Sequence, residues 1–152
     1  MKIAIAADHA GIHLKKYLIE NVKEVEFIDF GTNSESSVDY PDFAEKACAA
    51  VVSGEAERAV LVCGSGLGMS IAANKIHGIR AAHVESTYTA RLAAEHNQAN
   101  VLCLGERITG APYAAEMVRA WLKAKFGGEG ATAASLSRHQ NRIEKIKKLE
   151  GK

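Results

Sequence analysis

The sequence predicts an α/β fold in which a five-stranded parallel sheet lies between layers of helices. Two observations carry this. Apolar runs of strand length alternate with segments of helical period along most of the chain. The runs are also continuously apolar rather than alternating, as strands covered on both faces are. A third observation sets the size. The 152 residues are 47% apolar and 24% charged, with only two prolines, which suits a globular domain with a real core.

Residues 2–7, Lys-Ile-Ala-Ile-Ala-Ala, read as the first buried strand. Leu14, Tyr17, Leu18 and Val22 then recur at helical spacing, with Lys15, Lys16, Glu20 and Lys23 expected to face water. Residues 24–30 read as the second strand, closed by Gly31 and a polar stretch through Ser37. Pro41 opens a helix, as proline does at a first helical position. Phe43, Ala44, Ala47, Cys48, Val51 and Val52 give that helix an apolar face, and Gly54 ends it.

Ala59-Val60-Leu61-Val62-Cys63 is the third strand, followed by a glycine loop and a short helix from Met69 to Lys75. Residues 79–84 form the fourth strand, 86–95 a helix, and Val101–Leu104 the fifth strand. The next helix turns Ala114, Met117, Val118, Trp121 and Leu122 inward. A Gly/Ala/Ser segment, 127–137, links it to a basic terminal helix, 138–149. The expected architecture is a Rossmann-like three-layer αβα fold over 1–126. Residues 127–152 extend the same single domain by a linker and a C-terminal helix.

Composition excludes several roles. A net charge of +1 argues against a general nucleic-acid binder. No run approaches the roughly 18 apolar residues of a membrane helix, and the apolar start is too short for a signal peptide. Three cysteines, an odd and sparse number, suit a reducing compartment, so the expected location is the cytoplasm.

In open parallel sheets ligands bind beyond the carboxyl ends of strands. The informative residues are therefore Asp8 and His9, Cys63 to Gly68, and the loop around Gly105 to Arg107. In Cys63-Gly64-Ser65-Gly66-Leu67-Gly68 the glycines let the backbone turn tightly and converge several N–H groups. The following helix adds its positive end. This is a cradle for an anion or a developing oxyanion; a merely structural turn is the alternative. The spacing is neither a dinucleotide fingerprint nor a P-loop. Cys63 at the mouth of the cradle is a candidate nucleophile or base. Cys48 and Cys103 read as buried packing residues.

In the terminal helix Ser137-Arg138-His139-Gln140 matches a capping box. Ile143, Ile146 and Leu149 form an apolar stripe, with Arg142 projecting inside it and Arg138 at its edge. Two arginines at i and i+4 on a packing face suit a phosphate; a salt bridge to a neighbouring helix is the alternative. His9, His96 and His139 are the histidines nearest these features, and no metal-ligand spacing is present.

Taken in order, Asp8-His9-Ala10-Gly11, Val38-Asp39-Tyr40-Pro41, the Cys63–Gly66 loop and Ser70–Lys75 form a recognisable set. Gly78-Ile79-Arg80-Ala81, His96-Asn97-x-x-Asn100, Gly105-Glu106-Arg107 and Arg138-His139-x-x-Arg142 complete it. The chain, from about residue 2 to 148, resembles the type B ribose-5-phosphate isomerase family, which also holds galactose-6-phosphate and allose-6-phosphate isomerases. The resemblance implies an aldose–ketose isomerase of carbohydrate metabolism that works through an enediolate, with no metal or organic cofactor. It implies Cys63 as general base and His96 as the acid/base that opens the sugar ring. Ser65 and the amides of residues 64–68, that is Gly64, Ser65, Gly66, Leu67 and Gly68, would hold the enediolate oxygens. Asp8, His9 and Asn97 would contact substrate, Tyr40 would line the pocket, and Arg107, Arg138 and Arg142 would bind phosphate. Some relatives carry a glutamate where this chain has Met69, so here a cysteine is expected as the base. The family forms homodimers, also paired into tetramers, with sites shared between subunits. His96, Asn97 and Arg107 would then come from a different chain than Cys63.

Three rival readings remain at this point: a six-carbon sugar phosphate substrate, a non-catalytic sugar-phosphate sensor, and an NAD-dependent enzyme. The near-neutral charge also hides a division. Residues 138–152 hold six basic and two acidic side chains, a net of +4, so the rest of the chain sums to −3.

Overall fold

In the computed structural model, which describes residues 1–151, eleven elements alternate. They are β1 (Lys2–Ala7), α1 (Ile12–Asn21), β2 (Glu26–Asp29), α2 (Tyr40–Ser53), β3 (Arg58–Cys63), α3 (Leu67–Ala73), β4 (Ala81–His83), α4 (Thr87–Asn97), β5 (Val101–Gly105), α5 (Ala111–Lys123) and α6 (Ala133–Glu150). The strands form one sheet in the order β2-β1-β3-β5-β4, and every pair is parallel.

Strand alternation splits the core between the two faces. Ile3, Ile5, Val60, Val62, Leu102 and Leu104 pack with Leu14, Leu18, Ala90, Val118 and Trp121 beneath α1, α4 and α5. Ala4, Ala6, Leu61, Cys63 and Cys103 pack with Ala44, Ala47, Cys48, Met69 and Ala73 beneath α2 and α3. Handedness explains the assignment. From β1 to β2 and from β4 to β5 the chain steps one way along the sheet; from β2 to β3 and from β3 to β4 it steps the other way. Right-handed crossovers then put α1 and α4 on one face and α2 and α3 on the other. Trp121 anchors the first face. Its Nε1–H donates to Ala99 O at 3.0 Å, and the Arg58 guanidinium lies 5.0 Å from its ring centre.

Several local expectations are corrected. Lys15 does not face water; it has no exposed surface, and its Nζ lies 2.7 Å from Asp29 Oδ2. Its charge is tolerated because the ion pair accompanies it into the interior. Val52 is 58% exposed, at the edge of a face on which Ala44, Ala47 and Cys48 are buried and Val51 packs against the core. The short helix α3 starts at Leu67, two residues before the expected Met69, so Leu67 and Gly68 belong to its first turn. Helix α6 starts at Ala133, not near residue 138. Its capping box is Thr132 with Ser135: Ser135 N–H donates to Thr132 Oγ1 at 3.2 Å and Thr132 N–H to Ser135 Oγ at 3.0 Å. Ala133 and Ala134 favour helix, so nucleation at the earlier cap wins and the linker is shorter than expected.

The face of α6 is corrected too. Its buried residues are His139 and Ile143, whereas Ile146 and Leu149 are 38% and 61% exposed. Arg138 and Arg142 are exposed, so they flank the packed seam rather than lie within it. Among the described residues no helix is long and apolar enough to cross a membrane.

Candidate active site

Strand order reverses between β1 and β3, because β2 lies to one side of β1 and the later strands to the other. Loops that leave adjacent strands in opposite directions open a crevice at that point. Asp8 and His9 follow β1, and Cys63 to Gly66 follow β3. Asp8, His9, Cys63, Gly64 and Ser65, together with Ala10, Tyr40, Gly68, Arg107 and Ile108, line a cavity of about 330 Å³. The crevice thus gathers Asp8, His9, Tyr40, Cys63, Gly64, Ser65, Gly68 and Arg107 of the expected site.

Cys63 ends β3 and is 5% exposed. The chain turns back at Gly66, whose φ of +80° suits glycine, and Gly66 N–H reaches Cys63 Sγ at 3.1 Å. A side chain here would also meet the His83 ring, since a Cβ on Gly66 would lie 2.6 Å from His83 Cδ2. Leu67 N–H donates to Ser65 Oγ at 3.3 Å, which fixes the serine in the same turn. The Leu67 side chain is 54% exposed and does not line the cavity. Gly66 and Leu67 therefore contribute backbone, not lining. Met69 has no exposed surface and lies in the core behind the loop.

The β5 loop is laced to the β3 loop. Glu106 N–H donates to Cys63 O at 2.9 Å and Arg107 N–H to Gly64 O at 3.0 Å. This sets the Arg107 guanidinium against Gly64, where a Cβ would come within 3.3 Å of it. Arg107 thus lines the same cavity as Cys63 of its own chain. Gly105 is needed for the close approach, because a Cβ there would lie 2.6 Å from Ser65 C.

Asp8 is 5% exposed, and its Oδ1 accepts Ala10 N–H at 2.9 Å. His9 Nδ1 accepts Val38 N–H at 3.2 Å, so a neutral His9 carries its proton on Nε2. The Tyr40 ring packs on Gly68, where a Cβ would be 2.6 Å from Tyr40 Cζ. Glu106 is a contributor that sequence reasoning passed over. Its Oε2 accepts Leu14 N–H at 2.8 Å in the first turn of α1, pinning the β5 loop to that helix. The only sequence signal was its place in Gly105-Glu106-Arg107.

The remaining expected residues, His96, Asn97, Arg138 and Arg142, lie apart from this crevice. Cys63 is level with Gly105 at the carboxyl end of the sheet, whereas Val101, which follows α4, is level with Ala59. That is about 13 Å along the strands, at ~3.3 Å per residue. His96 and Asn97 occupy the last turn of α4, before Val101, and so sit toward the amino end. They belong to the helix, not to a segment between helix and strand. His96 borders a groove of about 920 Å³ between α4, α5 and residues 123–129. Asn97 borders a separate 560 Å³ cavity beside β4, walled by Ile146 and Leu149 of α6.

His96 stacks on His139, with ring centres 4.4 Å apart and planes 13° apart. Phe126 meets the His139 ring edge-on at 6.3 Å. Burial first, then His96, Arg138 and Arg142, lower the His139 pKa and favour its neutral form. This contact brings the start of α6, with Arg138 and Arg142, to the end of α4. Neither arginine, nor Arg107, forms an ion pair among the described residues, whereas Arg91 and Arg119 do. The other motif residues build the frame. Asn74 bridges Ser70 O and Ala81, Asn100 holds Arg80 N–H and Gly78 O, and Arg80 caps the end of α4 through Asn97 O and Gln98 O. Cys48 and Cys103 are inert packing groups: burial pushes the Cys48 thiol up to about 12 and raises Cys103 well above the usual range.

Comparison with known proteins agrees across the length of the chain. The model of the Ribose/Galactose Isomerase family matches residues 3–146. A solved ribose-5-phosphate isomerase B from Clostridium thermocellum is 48% identical with a TM-score of 0.91, covering 99% of this chain and 98% of that one. A putative sugar phosphate isomerase of Bacillus subtilis is 45% identical, covering 100% of this chain and 99% of the relative. The ribose-5-phosphate isomerase B of Escherichia coli is 42% identical, with 98% and 96% covered. The chain belongs to the ribose/galactose isomerase family.

Proposed function

We propose that this protein interconverts D-ribose 5-phosphate and D-ribulose 5-phosphate through an enediolate. The observation that carries the reading is the Gly66 amide held 3.1 Å from Cys63 Sγ, in a crevice that also holds Asp8, His9, Ser65 and Arg107. The amide hydrogen meets the sulfur and stabilises negative charge there, which is what a general base at this atom needs. Abstraction of a proton alpha to a carbonyl then requires fixed dipoles for the new oxyanion. Ser65 and the amides of residues 64–68 are the donors assigned to that task.

The steps balance without a redox partner. His96 relays the proton of the anomeric hydroxyl to the ring oxygen and opens the furanose. Cys63 removes the proton at C2, giving the enediolate; the thiol proton exchanges with solvent, and Cys63 delivers a proton to C1. The hydroxyl proton moves from O2 to O1, leaving the ketose. Asp8 and Asn97 hold sugar hydroxyls, and Tyr40 walls the pocket over Gly68. His9, Arg107, Arg138 and Arg142 take the phosphate, whose binding energy orients the reacting carbons.

His96, Asn97, Arg138 and Arg142 serve the Cys63 crevice of a second copy, in a homodimer or a pair of dimers. Support comes from the separation of the two groups along the sheet within one chain. Residues 127–152 act as part of the same domain as 1–126, since Ile143 is fully buried and His139 stacks on α4. The site is expected to work in the cytoplasm, on a phosphorylated sugar and without a cofactor.

Initial rates on ribose, allose and galactose phosphates test the substrate. The expected order has the five-carbon phosphate first by at least tenfold in kcat/KM. A preference for a six-carbon substrate overturns the substrate assignment, and no turnover of any of them favours a sensor.

A further inference from the structure

The connection between β2 and α2 is neither strand nor helix, yet it is held from one end to the other. Lys15 holds its start. The ammonium, wholly buried, donates to Asp29 Oδ1 at 2.9 Å and Oδ2 at 2.7 Å, to Thr32 O at 2.8 Å and to Asn33 Oδ1 at 3.1 Å. Three N–H bonds are thereby all used. Gly31 makes the arrangement fit, since a Cβ there would lie 2.4 Å from Ala7 N and 3.1 Å from Lys15 Cδ.

From Thr32 a relay of amides runs to the crevice. Ser34 N–H donates to Thr32 Oγ1 at 3.1 Å, and Ser36 N–H to Ser34 Oγ at 3.1 Å. Val38 N–H then donates to His9 Nδ1 at 3.2 Å. This last bond keeps the proton of a neutral His9 on Nε2, leaving Nε2–H as the donor. If the loop drifts, Nδ1 is free to take the proton and Nε2 loses it.

Stability alone does not account for the lysine. A buried ion pair is often matched or surpassed by apolar side chains of similar volume. We propose that Lys15 is a positioning residue of the substrate site: its buried ammonium fixes the 30–39 loop, and the Val38 amide of that loop fixes His9 as an Nε2–H donor to the phosphate. This rests on the reading of His9 as a phosphate ligand given above.

The test compares Lys15→Met, which keeps the stem and removes the donors, with Asn33→Ala, an exposed position that leaves the core untouched. Each is measured alone and combined with His9→Ala in the full-length protein. Lys15→Met is expected to raise KM for ribose 5-phosphate and the inhibition constant of inorganic phosphate together, about tenfold, with kcat within about twofold. Asn33→Ala moves both in the same direction by a smaller factor. The His9 ring nitrogens, followed by NMR, shift from a single Nε2–H tautomer to a mixture. On the His9→Ala background neither substitution adds to KM.

A folded Lys15→Met protein with unchanged KM and His9 tautomer overturns the proposal. So does a KM effect that persists without His9. Where Lys15→Met does not fold, Asn33→Ala decides by the same readouts. If His9→Ala itself leaves KM and phosphate inhibition unchanged, the assignment of His9 fails first, and the role of Lys15 falls with it.

Discussion

The imidazole rings of His96 and His139 stack 4.4 Å apart, joining the end of α4 to α6. The contact couples the proposed ring-opening residue to the helix that carries Arg138 and Arg142. It also gives the fold a pH dependence whose sign follows from the environment of His139. Its pKa is lowered by burial and by the positive neighbours. The unfolded chain therefore binds more protons than the folded one below the ordinary histidine value of about 6.5. Stability is complete above that pH and falls as the pH drops through it toward the lowered folded value. Thermal melts of the wild type are expected to show Tm declining from pH 7.5 to pH 5. His139→Gln should flatten that decline, and an equally steep decline in the variant would refute this account of it.

Thr132 tests where α6 begins. It caps the helix through Ser135 N–H at 3.2 Å. Thr132→Ala should cost about 1 kcal/mol of stability, the usual loss for such a cap. Since the frayed turn lies just before Arg138 and His139, KM should also rise. Ser137→Ala should change neither, because Ser137 is exposed and lies inside the helix. Denaturant melts of the two variants separate the two caps directly.

Gly105 tests the lacing of the β5 loop to the Cys63 loop. A Cβ there would meet Ser65 C at 2.6 Å, and backbone cannot rotate away. Gly105→Ala should destabilise by about 1–3 kcal/mol, as overpacking does. It should also lower kcat more than a hundredfold by displacing Ser65 and Cys63. A folded variant with normal kcat would show that the loop tolerates the shift.

The shared site predicts complementation. Cys63→Ala and His96→Ala homodimers should each be inactive. Refolded together in equal amounts, half of the dimers should be mixed, each with one intact site, so activity should return to about a quarter of wild type. No recovery, with mixed dimers demonstrated, would place Cys63 and His96 in the same chain's site.

Much of this was readable in the residues, and the exceptions have physical causes. The strands were legible because both faces of the sheet are covered, which leaves Val60, Leu61, Val62 and their like as unbroken apolar runs. The crevice was legible because Asp8, His9 and Cys63–Gly68 follow strands that meet where the strand order reverses. Lys15 was misread because helical period assigns a lysine to water, while the partner that carries it inward, Asp29, belongs to the next strand. Glu106 was passed over because Leu14, whose amide it accepts, is 92 residues away. The start of α6 was misread because two capping patterns lie five residues apart, and Ala133 and Ala134 tip the balance to the earlier one. That Arg107 lines the crevice of its own chain's Cys63 was not legible, because its place depends on two backbone bonds between loops, which no spacing reveals.

The central claim is that Cys63 moves the proton between C1 and C2. Turnover of ribose 5-phosphate in deuterium oxide, followed by NMR of the product, tests it most directly. The wild type is expected to place solvent deuterium at C1 of ribulose 5-phosphate. Cys63→Ala is expected to bind a phosphorylated substrate analogue normally and to incorporate none. Deuterium incorporation by Cys63→Ala at the wild-type rate would contradict the assignment.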